Sequence, residues 1–212
     1  EQISIQEAMF LMSICNHPSP MFLLGYVYPM LANKVKLSCF LIGIYGPIFI
    51  LAIAAKSVYF RYADTKCDSD ITLPLNTPRS KSSDSFQIDE SIMSSISVLC
   101  KIGGYLILFS IIIVFLRNMD WLSPSLRLFM ISIMEITTGV KEIASSLSDS
   151  KAWIAATSAL TFGGFSGIFQ TNAVIMDAKK AGLSIRPYIH WKLLHAVLSA
   201  GFVIILCNLH CC

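Results

Sequence analysis

The sequence predicts an all-α, polytopic helical membrane protein that contains broken and re-entrant helices. Three observations lead there. Apolar residues make up 55% of the 212-residue chain and charged residues only 14%, with a mean hydropathy of +0.66. A soluble domain carries about 25% charged residues, so this chain matches a largely lipid solvent. Uninterrupted apolar runs of about 20 residues, the length a helix needs to cross a bilayer, recur along it. Other apolar runs of similar reach carry proline, glycine or a carboxylate near their middle.

The uninterrupted runs are three. The first spans Leu37 to Phe60, flanked by Lys34 and Lys36 on one side and Arg61 on the other. The second spans Ile92 to Leu116. The third spans Tyr188 to Leu209 and is opened by Pro187 and Trp191, residues suited to a helix entering from the interface. Between the first two lies a polar stretch with five aspartates, several serines and two prolines. It buries too little apolar surface to order itself and reads as an extramembrane loop. The chain therefore divides into residues 1–60, a loop at 61–91, and residues 92–212. The 61–90 and 177–186 loops fall on one side if one apolar segment is a re-entrant hairpin, and their excess of Lys and Arg marks that side as cytoplasmic.

The interrupted segments are the informative ones. Ala8 to Leu31 is broken at Asn16-His-Pro-Ser-Pro20, Pro124 to Leu147 contains Glu135-Ile-Thr-Thr-Gly139, and Ala152 to Met176 contains Phe162-Gly-Gly-Phe-Ser-Gly167 and Gln170. Backbone groups freed by a break find no partner in lipid, so such breaks survive only inside protein or beside a wet cavity. Transporters place them near the midplane, where half-helix ends face a solute.

Glu135 is the most telling residue, because an intramembrane carboxylate is expensive and marks a functional site by default. It can accept bonds from a polar solute or carry a proton; the alternative is a structural carboxylate capped by neighbouring hydroxyls and amides. Thr137 and Thr138 add uncharged donors and acceptors, and Gly139 permits close backbone approach. Lys141 and Glu142 read as an interfacial pair at the hairpin edge. Gly163, Gly164, Ser166, Gly167 and Gln170 form the second cluster, with Ser166 and Gln170 one helical turn apart and Asn172 near the same face. Packing alone explains the glycines and explains Gln170 less well. Asn16 and Ser19 complete the set beside Pro18 and Pro20, which remove backbone donors. His17 either titrates near neutral pH or is simply hydrogen-bonded. On the last span His190 and Lys192 read as interfacial, free to snorkel, while His195 lies deeper.

Other function classes find little support. A net charge of +3 is too small to imply nucleic acid. Cys15, Cys39, Cys100 and Cys207 sit in or beside apolar runs as small hydrophobes. The tail from Cys207 through His210 to Cys212 reads as a metal or acylation site or as a frayed terminus. No His/Cys/Asp spacing around His190 and His195 resembles a zinc site, and no P-loop, G-x-S-x-G or G-x-G-x-x-G motif occurs. No cofactor and no enzyme reaction is read from the residues; a membrane-embedded enzyme using His195 and Glu135 lacks a recognisable catalytic constellation. A cleavable signal peptide is not visible, and the opening at Glu1 suggests part of a longer protein.

Five stretches, in this order, carry a resemblance: Ser13–Gly25, Lys101–Ser110, Glu135–Gly139, Phe162–Gln170, and Ser184-Ile-Arg-Pro-Tyr188 with Lys192-Leu-Leu-His195. Together the chain resembles sporulation integral membrane proteins of the YlbJ type, within the nucleoside-recognition or Gate-domain superfamily. The resemblance implies two inverted repeats with hairpins and broken helices around a central site. This chain would hold the end of the first repeat (1–60) and all of the second (92–212). It implies a multi-pass protein of the cell membrane that moves a small anionic solute, dipicolinate-like, during endospore formation; a non-transporting scaffold for spore assembly is the alternative. Asn16 and Ser19 would end the first repeat's broken helix, Glu135 to Gly139 would be the second repeat's hairpin tip, and Gly163 to Gln170 its broken helix. Asn16-His-Pro-Ser-Pro departs from the family's Asn-Asn-Ala-Ser-Pro. A first hairpin is missing, which implies a preceding half or a partner chain.

Overall fold

The computed structural model describes residues 5–63, 84–175 and 184–209. Every regular element among them is helical. In chain order they are α1 (Ile5–Cys15), α2 (Pro20–Leu31), α3 (Leu37–Ala63), α4 (Asp84–Arg117), α5 (Pro124–Met134), α6 (Ile136–Ser146), α7 (Asp149–Phe162), α8 (Gly164–Val174) and α9 (Ile185–Asn208). Four stretches are long and apolar enough to cross a membrane: Leu37–Ser57, Ile88–Arg117, the α7–α8 pair Asp149–Val174, and Ile185–Asn208. The chain is an all-α polytopic fold, as its composition predicts.

Each expected break is a break in the structure. Residues 16–19 separate α1 from α2 without helical structure. Ser19 then caps α2, accepting the Phe22 amide at 3.2 Å, and Pro20 supplies the first helical residue, where a missing N–H costs nothing. Further on, α2 widens into a π-helical turn over Leu23–Val27 before closing again. Glu135, extended at φ −148 and ψ 125, ends α5 and starts α6. Gly163 ends α7 in the left-handed region at φ 85, and Gly164 opens α8 at φ 69.

Helices α5 and α6, 11 residues each, are about 16 Å long, half a hydrocarbon core. They pack along each other as a hairpin with Glu135 at its tip. The re-entrant segment is therefore the one the polar interruption marks. A broken helix followed by a continuous span occurs twice, as α1–α2 with α3 and as α7–α8 with α9.

Helix α9 packs chiefly on α7, then on α3 and α1, while α2 rests on α6. The largest core joins Leu23, Leu31, Phe40, Ile44, Val140, Trp153, Leu160 and Val203, which come from α2, α3, α6, α7 and α9. Helix α4 stands apart. It touches α8 and α5, and most of its apolar residues face outward.

Two boundaries differ from the sequence reading. The expected loop at 61–91 is helical at both ends: α3 continues to Ala63 and α4 begins at Asp84, while residues 64–83 lie outside the described set. Residues 84–91 hold no proline or glycine, so nothing there stops the helix of the apolar run from extending N-terminally. The cysteine tail at 210–212 and most of the 177–186 loop also lie outside the described residues.

Gly163 supports a direct test. A Cβ there would meet nothing within 4 Å, so replacement costs only the left-handed backbone, about 1–2 kcal/mol. Gly163→Ala is expected to melt several degrees lower in detergent, and Gly163→Asn, which tolerates that backbone, to recover part of the loss. Equal melting of all three proteins would refute the strain argument.

Candidate functional site

The three breaks meet at one cavity of about 220 Å³. The first contributes Pro18, Ser19 and Phe22; the hairpin tip contributes Glu135, Ile136 and Thr137; the third contributes Gly163, Ser166, Gly167 and Gln170. Leu106 of α4 closes the remaining side. The volume is below the roughly 300–1,000 Å³ of drug-sized sites and suits a small solute.

Three helices begin at this cavity, α2, α6 and α8, and each presents amide groups and the positive end of its dipole. The three ends are treated differently. At α2, Ser19 takes one amide and Pro20 has none to offer. At α6, the Glu135 carboxylate accepts the Thr137 amide at 2.9 Å, the Thr138 amide at 2.8 Å and the Thr137 hydroxyl. At α8 no side chain caps the helix. Ser166, buried in its first turn, accepts the Gln170 amide nitrogen at 2.9 Å, which leaves the serine proton to be given elsewhere.

Glu135 is 2% exposed. Of the two uses open at the sequence level, the capping one has its geometry in place: both carboxylate oxygens are engaged by α6. The residue still forms part of the cavity wall. No lysine or arginine lines the cavity among the described residues, so an anion there would depend on amides and hydroxyls.

Not every candidate reaches the cavity. Ser19, Glu135, Thr137, Gly163, Ser166 and Gln170 do. Thr138 contributes its amide to the Glu135 cap and sits behind the wall. Gly139 lies where α6 crosses Ser132 of α5. Gly164 faces the Ile133 and Met134 carbonyls at the end of α5. Asn16 turns away, donating to Thr171 Oγ1 at 2.9 Å and to the Tyr188 hydroxyl at 2.8 Å. Gly167, marked with the second cluster, also lines the cavity, whereas Phe22, Leu106 and Ile136 are not singled out by the sequence. Ile136 adjoins marked residues, while Phe22 and Leu106 are apolar residues in apolar runs and send no signal.

Two expectations about charges are corrected. Glu142 pairs with Arg117 at the end of α4 and not with Lys141; adjacent residues on a helix point apart. Lys192 does not snorkel to the interface. Helix α9 starts at Ile185, earlier than the apolar run suggests, which places Lys192 two turns inside it. It is 2% exposed and its ammonium donates to the Asn16 carbonyl. His190 is exposed, with Nδ1 2.8 Å from the Arg186 carbonyl oxygen. Among the described residues no cluster of His, Cys, Asp or Glu has the makings of a metal site.

No protein-family model, curated protein or solved structure matches the chain.

Proposed function

We propose that this chain forms all or part of a cell-membrane transporter for a small anionic solute, which binds where the three breaks meet. The supporting observation is the convergence itself: three helices interrupted within the membrane start or restart around one small cavity. Half-helix N-termini attract anions, and interrupted backbone is tolerated where it lines such a space. The uncapped start of α8, with Ser166 and Gln170, is the part best suited to hold a carboxylate. The resemblance to sporulation membrane proteins extends the reading to endospore formation, to a dipicolinate-like dicarboxylate, and to inverted repeats completed by a preceding half or a partner chain. This reading assigns the chain no catalytic reaction.

The test is uptake of pyridine-2,6-dicarboxylate by proteoliposomes. A hydrogen bond to a charged group contributes about 1.5–3 kcal/mol. Ser166→Ala and Gln170→Leu are therefore each expected to lower uptake by at least tenfold while melting close to the wild type. Unchanged uptake in both variants would sink the site.

One feature favours a scaffold instead. An apolar recess of about 580 Å³ lies between the hairpin, α7 and α9. Its Ser132 and Ser158 hydroxyls are already given to their own helices. Co-purification of a stable membrane partner, with no solute flux, would select that reading.

A further inference from the structure

The transport reading leaves one buried polar group without a role. Lys192, His195 and His17 form a cluster behind the first break. His195 is 1% exposed, and its ring has no side-chain hydrogen-bond partner, only the Ile44 backbone beside it. The buried Nδ1 of His17 likewise has no side-chain partner, with the Ile14 backbone beside the ring. The two rings meet edge to face, their centroids 4.8 Å apart. The Lys192 ammonium lies 5.7 Å from the centroid of the Tyr188 ring. Lys192 and His195 stand about 10 and 15 Å along α9 from its start at Ile185, within a stretch long and apolar enough to cross a membrane.

Such groups are costly within a membrane and are kept for a use. The helices packed against α9 bring other ionisable side chains: Glu7 and Cys15 on α1, Tyr45, Lys56 and Cys39 on α3, Asp149 and Lys151 on α7. Among the described residues none forms an ion pair with Lys192; the ion pair present there is Arg117–Glu142. Three basic groups in one desolvated cluster repel one another when charged, so they do not all hold protons together. The cluster is thus built to exchange a proton, whereas both oxygens of Glu135 are engaged as a helix cap.

The cluster also reaches the cavity. Lys192 holds the Asn16 carbonyl, and the Asn16 side chain ties Thr171 and Tyr188 to the same break. Three residues later Ser19 caps α2 at the cavity wall. An ammonium holds a carbonyl more strongly than a neutral amine does, so the anchorage of this break follows the protonation of Lys192.

Resting on the transport reading, we propose that Lys192, His17 and His195 bind the proton that is coupled to solute movement, and that its departure loosens the Asn16–Ser19 break. The proton comes from water on one side, forms an N–H bond within the cluster, and returns to water on the other. The test uses proteoliposomes of the full chain, loaded with the pH dye pyranine and supplied with pyridine-2,6-dicarboxylate. In the wild type, uptake is expected to change the internal pH. Glu135→Gln is expected to move less solute with the wild-type number of protons per solute. Lys192→Met and His195→Gln are expected to lose at least tenfold in proton movement while downhill solute movement continues. Lys192→Arg, which keeps the charge but cannot release it, uncouples as well. The proposal is overturned if either Lys192→Met or His195→Gln keeps wild-type proton movement per solute, or if Glu135→Gln alone loses it. If the wild type moves no dicarboxylate, the transport reading fails, and imidazole 15N spectra in nanodiscs decide the proton site separately. Lys192→Met is expected to displace the titration of His17 and His195 by more than one pH unit, and no displacement ends the proposal.

Discussion

Gly139→Ala is expected to lower the melting temperature more than any other single-methyl addition in the hairpin. A Cβ at this position would lie 2.7 Å from the Ser132 Cα and 3.1 Å from the Ser132 carbonyl oxygen. Both are backbone atoms, so no rotamer change relieves the clash and α5 and α6 must separate. Overpacking of this kind costs roughly 1–3 kcal/mol, and each kcal/mol lowers the melting temperature by about 2–4 °C in a chain of this size. Gly139→Val is expected to fall further and to reduce the folded yield. Gly103→Ala and Gly104→Ala are the controls, since a Cβ at either meets nothing within 4 Å. If Gly139→Ala melts with those controls, the close crossing does not hold the hairpin together. Because Gly139 lies outside the cavity lining, lost uptake in this variant should track lost folding.

Glu135→Ala should have the second large effect, through a different cause. It strands the Thr137 and Thr138 amides at a buried tip, at roughly 1–3 kcal/mol for each donor left unpaired. It also uncovers the positive end of α6 beside the cavity. The expected result is a fall in melting temperature larger than for Gly163→Ala, together with at least a tenfold fall in dicarboxylate uptake. Glu135→Gln retains one acceptor oxygen and should fall between Ala and wild type in stability. Two outcomes would change the picture. If Ala and Gln both melt like wild type, the cap is not what shapes the tip. If Gln melts like wild type yet loses uptake, the carboxylate acts on the solute directly.

Much of this arrangement is legible in the sequence, for physical reasons. Lipid allows no unsatisfied backbone, so proline pairs, glycine pairs and a lone carboxylate within apolar runs mark breaks almost by elimination. Asn16–Pro20, Glu135 and Gly163 are all breaks in the structure. Which way the side chains around a break turn is less legible, because that depends on crossing angles between distant helices. Asn16 illustrates it: the same amide would serve a solute if rotated toward Ser19, yet it is held by Thr171 and Tyr188. Thr138 and Gly139 carry the same lesson, since their roles are set by which helix the hairpin folds back on. Lys192 is the least legible of all. A lysine near the end of an apolar run usually reaches for water, and only the packing of α9 on α1 turns it inward.

The π-helical turn at Leu23–Val27 gives the first broken segment something absent from the other two among the described residues, namely slack. A π-turn holds one residue more than the α-helix needs. Drawing that residue into α geometry would turn the stretch ahead of it by about 100° and shift it by about 1.5 Å along the axis. Leu31 and Val35, buried beyond the turn, would keep their seats. Ser19 and Phe22 stand on the moving side of it. The wall they form can thus be re-indexed like a ratchet by one tooth, with no helix unfolded and Leu23, inside the turn, the core residue that travels with it.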